Sequence, residues 1–110
     1  MPAGNTSGEG GRPIANLDRL IHEPSRYTLM AHLYVVEIAD FLFLVRQTGM
    51  TWGNLSAHLS KLEAAGYVII EKEFLDKKPH TTVRLSSEGR LAFDEYRNSM
   101  KQALENLPAK

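Results

Sequence analysis

The stretch Gly49-Met50-Thr51-Trp52-Gly53-Asn54-Leu55-Ser56-Ala57-His58-Leu59-Ser60-Lys61-Leu62-Glu63-Ala64-Ala65-Gly66-Tyr67-Val68-Ile69-Ile70-Glu71-Lys72-Glu73-Phe74 changes its apolar period midway, and that change decides the fold. Up to Leu62, the residues Trp52, Leu55, Leu59 and Leu62 recur every three or four positions, one side of a helix that Thr51 caps and Gly66 closes. From Tyr67 to Phe74 the chain is rich in Val, Ile and aromatic residues and reads as a strand. Asp76-Lys77-Lys78-Pro79 has the chemistry of a turn, and Thr81 to Leu85 returns as a second strand with Val83 and Leu85 on one face.

Upstream, Asp40 is a good N-cap for a short helix with Phe41, Leu44 and Val45 inward, ended by Gly49 in the left-handed region. With the Thr48-Gly49-Met50 turn and the helix from Thr51, it forms a helix-turn-helix unit. A hairpin following at once, with only Gly66 between, makes the unit a winged helix. Pro24-Ser25 suits a helix start, and the helix carries Leu29, Leu33 and Val36 on one side with Tyr27, Met30 and Tyr34 beside them. Ile14, Leu17, Leu20 and Ile21 predict another helix before it. Ser86 caps a last helix running to about Leu107. The expected class is α+β, mainly α: a winged helix-turn-helix with a two-stranded β wing and a C-terminal dimerisation helix.

The 110 residues fit one domain. Residues 1–13 hold four of the eight glycines and two prolines, so an unstructured tail is expected there and the folded domain over 14–107. The absence of cysteine excludes disulfides, thiolate metal sites and a cysteine nucleophile, and agrees with a cytoplasmic protein. No apolar run is long enough to span a bilayer and no signal peptide is visible, so no membrane partner is expected. The 13 basic side chains balance 13 acidic ones, which argues against a strongly basic nucleic-acid binder. The balance is uneven along the chain: residues 1–45 carry three basic and five acidic groups, residues 46–90 seven and five.

Three stretches resemble a known family. They are Leu17-Asp18-Arg19-Leu20-Ile21-His22-Glu23-Pro24-Ser25-Arg26, Asn54 to Tyr67, and Thr82-Val83-Arg84-Leu85-Ser86-Ser87-Glu88-Gly89-Arg90. They are similar to single-domain, MarR-like winged-helix transcriptional regulators of bacteria and archaea over about residues 16–97. The resemblance implies a DNA-binding homodimer acting as a repressor or activator. Related wings often present arginine at the tip, where this chain offers Lys77 and Lys78.

The residues themselves point the same way. Opposite the leucines of helix 51–65 lie Gly53, Ala57, Ser60, Lys61 and Ala64, with Asn54 and Ser56 on the flanks. Small and hydrogen-bonding side chains let a helix lie deep in a major groove, where Asn can pair with adenine and Lys with guanine. Base reading concentrates at the start of such a helix, on Asn54, Ser56 and Ala57, while Thr51 or Ser60 suits phosphate. His58 lies between core and surface, as a packed or phosphate-touching histidine. On the wing, Lys72, Lys77, Lys78, His80 and Arg84 suit the phosphate backbone, diluted by Glu71, Glu73 and Asp76. The plainer readings are a solvated helix face and a solvent-exposed hairpin edge.

In the last helix Phe93, Tyr96, Met100, Ala103 and Leu107 follow a seam of alternating threes and fours, with Leu104 beside it. Leu91, Phe93 and Tyr96 suit packing on their own domain; the later half extends past such a core and suits a second subunit. No phosphate-binding glycine loop, metal motif or nucleophile elbow is present, so no enzyme and no cofactor is implied. The reading is a DNA-binding transcriptional regulator, dimeric on an inverted repeat of double-stranded DNA. The alternative is a winged-helix protein-interaction module, which the balanced charge keeps open. A small-molecule effector in a pocket near Tyr27, Met30, Tyr34 and Trp52 is a third possibility, though their helical spacing fits a core better.

Overall fold

The computed structural model describes residues 17–108; the expected tail over 1–13 and Ile14 lie outside them. The order is α1 (Pro24–Val36), β1 (Ile38–Asp40), α2 (Phe41–Thr48), α3 (Trp52–Ala64), β2 (Val68–Leu75), β3 (Lys78–Leu85) and α4 (Ser87–Glu105). The sheet is antiparallel with β3 in the centre, in the order β1-β3-β2.

Local chemistry starts each helix. Pro24 occupies the first turn of α1, where its missing N–H is harmless, and the Glu23 carboxylate accepts the Arg26 N–H at 2.8 Å. Asp40 accepts the Phe43 N–H at 2.7 Å, Thr51 the Asn54 N–H at 3.1 Å, and Ser86 the Gly89 N–H at 2.9 Å. Gly49 ends α2 at φ 73°, and Gly66 ends α3 at φ 81° while Tyr67 donates its N–H back to the Leu62 carbonyl.

One expectation is corrected and one element is added. Residues 17–23 do not form a helix: Asp18 accepts the N–H groups of Leu20 and Ile21 with its side chain, tying the segment into turns. Leu17 and Ile21 still enter the core. Among the described residues, two helices therefore precede α3. The hairpin also gains a third strand, because Glu37 ends α1 with φ 72° and turns the chain so that Ile38, Ala39 and Asp40 pair with Arg84, Val83 and Thr82. Ala39 is buried, which fixes that register.

One core joins all these parts: Leu29, Met30 and Leu33 of α1, Leu44 of α2, Leu55, Leu59 and Leu62 of α3, Val68, Val83 and Leu85 of the sheet, and Phe93 and Tyr96 of α4. α4 is locked on at its start. Ser86 donates its hydroxyl to the Gly66 carbonyl and its N–H to the Tyr67 carbonyl, and Gly89 packs against that same Tyr67 backbone.

The Tyr67 hydroxyl donates to the Asp18 carboxylate. That hydrogen bond, helped by partial burial and the negative charge of Asp18, pushes the Tyr67 pKa up to about 12. The stabilisation from the neutral phenol is complete below about pH 10 and is lost as pH rises toward 12. Thermal melts of the wild type should therefore fall more steeply between those pH values than melts of Tyr67→Phe, which should start lower at pH 7. Parallel curves would remove this link from the alkaline behaviour.

Candidate nucleic-acid interface

α3 buries Leu55, Leu59 and Leu62 and turns Gly53, Ala57, Ser60 and Ala64 outward, all exposed. No large side chain stands on that face, so the helix backbone can approach a partner surface closely; a Cβ at Gly53 would meet nothing within 4 Å. Asn54 and Lys61 stand exposed on one flank and Ser56 on the other. The Thr51 oxygen accepts the Asn54 N–H, which leaves its hydroxyl proton free to donate.

His58 is held in the protein. Its Nδ1 lies 3.1 Å from Nη1 of Arg26 and 3.9 Å from the Glu23 carboxylate. Arginine only donates, so against Arg26 the Nδ1 is the acceptor and the ring proton sits on Nε2. Arg26 also donates through Nε to the Leu20 carbonyl at 2.7 Å. His58 thus ties α3 to the start of α1.

Trp52 is a correction. It was expected among the leucines, yet it is 55% exposed and stacks on Phe41 of α2, ring centroids 5.2 Å apart and planes 13° from parallel. It opens a groove of about 730 Å³ between α3 and the hairpin, lined by Ser56, Ser60 and Glu63 on one side and Ile70, Lys72 and Thr81 on the other. Tyr27 and Tyr34 pack on Phe93, and Met30 is buried, so these residues and Trp52 do not enclose one pocket.

The wing turn is shorter than expected. β2 and β3 close through Asp76 and Lys77 alone, with Leu75 opposite Lys78 and Phe74 opposite Pro79. Both turn residues have positive φ, 51° and 66°, the arrangement that matches strand twist in a two-residue hairpin. Pro79 stands at a pair that exchanges no β2–β3 hydrogen bonds, so its missing N–H is tolerated inside the strand.

Alternation along the hairpin sorts the basic residues. Val68, Ile70, Lys72 and Phe74 share a face with Leu85, Val83, Thr81 and Pro79, running from the core out to the tip. Glu71, Glu73 and Leu75 share the other face with Thr82, His80 and Lys78. Lys72 faces the groove, and Lys77 and Lys78 are exposed at the tip. His80 and Arg84 stand apart from these lysines. His80 has Nδ1 3.4 Å from Glu73 and Nε2 3.5 Å from Asp40, so both nitrogens face carboxylates. Arg84 lies between Ile38 and Ile69 in the register, six residues or about 20 Å from the tip.

On α4, Phe93 and Tyr96 are buried in the domain's own core, Ala103 is buried and Met100 packs partly against that core. Phe93 and Tyr96 touch Tyr27. Phe93 and Tyr96 thus pack on their own domain, as their half of the helix suggests; Leu104 and Leu107, 65% and 63% exposed, stay open to a second subunit. Leu91, expected on its own core, is exposed because it lies on the opposite side of α4 from Phe93 and Tyr96.

The winged helix DNA-binding domain family matches residues 25–104. An uncharacterized protein of Methanocaldococcus jannaschii is 30% identical over 89 residues, 81% of this chain and 97% of its own length. A transcriptional regulator homologue from Pyrococcus horikoshii OT3 is 26% identical, with 82% of this chain and 91% of that one covered and a TM-score of 0.76. Wild-type MarR of E. coli, 18% identical, superposes with a TM-score of 0.61 over 88% of this chain and 81% of its own. With a helix-turn-helix, a hairpin wing and a family match over that whole unit, the chain belongs to the winged helix DNA-binding domain family and has a MarR-like fold.

Proposed function

We propose that the chain is a transcriptional regulator that binds an inverted-repeat operator as a homodimer in the cytoplasm. α3 enters the major groove, with Asn54, Ser56 and Ala57 at the base edges and Lys61 and Ser60 alongside. The wing tip lies on flanking phosphates through Lys77 and Lys78, with Lys72 facing the backbone that passes between wing and helix. Leu104 and Leu107 supply an apolar contact between subunits, which sets two recognition helices about 34 Å apart, one turn of DNA.

The observation that carries this reading is Lys77. A lysine in the left-handed region, at φ 66°, is strained where glycine would be relaxed. A costly conformation retained at an exposed tip points to use of the side chain it carries. The test is a salt titration on a duplex of about 30 base pairs, three turns, enriched from a random library by the wild-type chain. Lys77→Gly with Lys78→Ala should lower the salt slope by roughly 1 to 2 units. Relief of the left-handed strain, about 1–2 kcal/mol, should outweigh the about 0.4–1 kcal/mol that glycine adds to the freedom of the unfolded chain, so the thermal midpoint should not fall. An unchanged slope would remove the wing from the interface.

A further inference from the structure

The tip of the wing carries more than charge. Phe74 is 74% exposed and Leu75 51% exposed, at the end of the hairpin farthest from the core. Large apolar groups at a projecting end are out of place on a wing that only touches phosphates, since lysine alone would serve there and water would be met at lower cost. We propose that Phe74 is an apolar wedge that the wing presses into the minor groove beside the α3 site, bending the duplex there. The proposal rests on the DNA-binding reading above and adds a contact that neither Lys77 nor Lys78 can make.

Position and charge select this occupant. Phe74 ends the row Val68, Ile70, Lys72, Phe74, which faces α3; Ile70 and Lys72 line the groove between wing and helix. Four residues of strand carry Phe74 about 13 Å beyond Ile70. With α3 in a major groove, the groove between α3 and wing spans one phosphate backbone, and the far side of that backbone is the minor groove. The row that ends in Phe74 and its opposing row, Leu85, Val83, Thr81 and Pro79, hold one lysine and no carboxylate. Both glutamates of β2 fall on the other face. A face that pairs a cation with an exposed ring suits a polyanion with an apolar interior, where phenylalanine can part a base step.

The strand beneath is built to take load. Phe74 is opposite Pro79, whose ring restricts the backbone at the same level, and β3 is held on its other edge by β1 at Asp40–Thr82. The two-residue turn leaves no slack between Leu75 and Lys78. A wedge needs such a stiff mount, because unstacking a base step is opposed by the stacking of its neighbours.

The experiment uses the full chain and the enriched duplex of about 30 base pairs, labelled at its ends so that energy transfer reports bending. Phe74→Ala should weaken binding at fixed salt by at least tenfold, leave the salt slope unchanged, and relax the bent duplex toward the length of the free one. It should also lose preference for flexible TA and CA/TG steps in the flanking sequence. Phe74→Trp, which keeps a flat apolar ring, should recover most of the affinity and the bend. Circular dichroism and light scattering on each variant separate these effects from misfolding and from a change of assembly. Phe74→Ala binding and bending like the wild type would overturn the wedge while leaving the DNA-binding reading intact. Phe74→Ala altering the oligomeric state at constant DNA affinity would assign the ring to a protein interface and equally overturn it. A wild-type chain that enriches no duplex and binds none in a salt-dependent way would instead sink the DNA-binding reading itself.

Discussion

Gly89→Ala should lower the thermal midpoint by about 10 °C or more, and in the worst case leave the chain unfolded at 37 °C. A Cβ at that position would lie 2.0 Å from the Tyr67 carbonyl oxygen and 2.8 Å from its carbon. Both neighbours are backbone, so neither can rotate away as a side chain could. The same carbonyl accepts the Ser86 N–H, and Ser86 also holds Gly66, so moving it breaks the lock between α4 and the end of α3. Overpacking in rigid surroundings costs about 1–3 kcal/mol and occasionally more, and the lost hydrogen bonds add to that here. Gly53→Ala is the control. It lies in a helix with open space around its Cβ, so its midpoint should rise slightly. Equal, small effects for the two substitutions would show that α4 can slide on Tyr67, and the close contact would lose its structural importance.

The second large effect concerns assembly. In the proposed dimer, Leu104→Glu with Leu107→Glu should give monomers in light scattering and reduce affinity for a two-half-site duplex by about 10²–10⁴, while a single half-site is bound as before. The charges enter at exposed positions near the end of α4, so the melting of the monomer core should hardly change. Phe93 or Tyr96 cannot serve this purpose. Each is buried among Tyr27 and neighbouring residues, and truncation would cost about 3–5 kcal/mol in the domain itself. A dimer that survives both glutamates would move the contact away from the end of α4.

What could be read in the sequence depended on how local its cause is. Asp40, Thr51 and Ser86 cap helices through bonds three residues away, and Gly49 and Gly66 end them by their own backbone freedom, so neighbouring residues were enough to find them. The helix expected over Ile14–Ile21 gives way, from Leu17 on, to a side chain that competes for its backbone, Asp18, although the apolar spacing is helical. β1 is three residues whose pairing partner, β3, lies more than 40 residues away in sequence, and no periodicity can show in so short a span. Trp52 fits the leucine spacing but begins its helix, where Phe41 of another element draws its ring out of the core. Phe93 and Tyr96 have the spacing of a seam in either setting; only the position of Tyr27 on α1 decides that they face inward. At the interface, the outward face of α3 was legible because it is the complement of its leucines. The engagement of His80 was not, since Asp40 reaches it only through the third strand and Glu73 only through the register of the hairpin.

An apolar tip on a hairpin with two open edges invites chains to stack strand against strand. The fold blocks this in three places. β1 occupies one edge of β3 over Thr82–Arg84. Beyond it, Pro79 presents no N–H to an incoming strand. The free edge of β2 runs through Glu71, Lys72 and Glu73, whose charges resist a second copy laid alongside. The strand Ile38–Asp40 therefore does more than complete a sheet: it closes part of the edge along which a hairpin with an exposed phenylalanine at its extremity could pair with another copy.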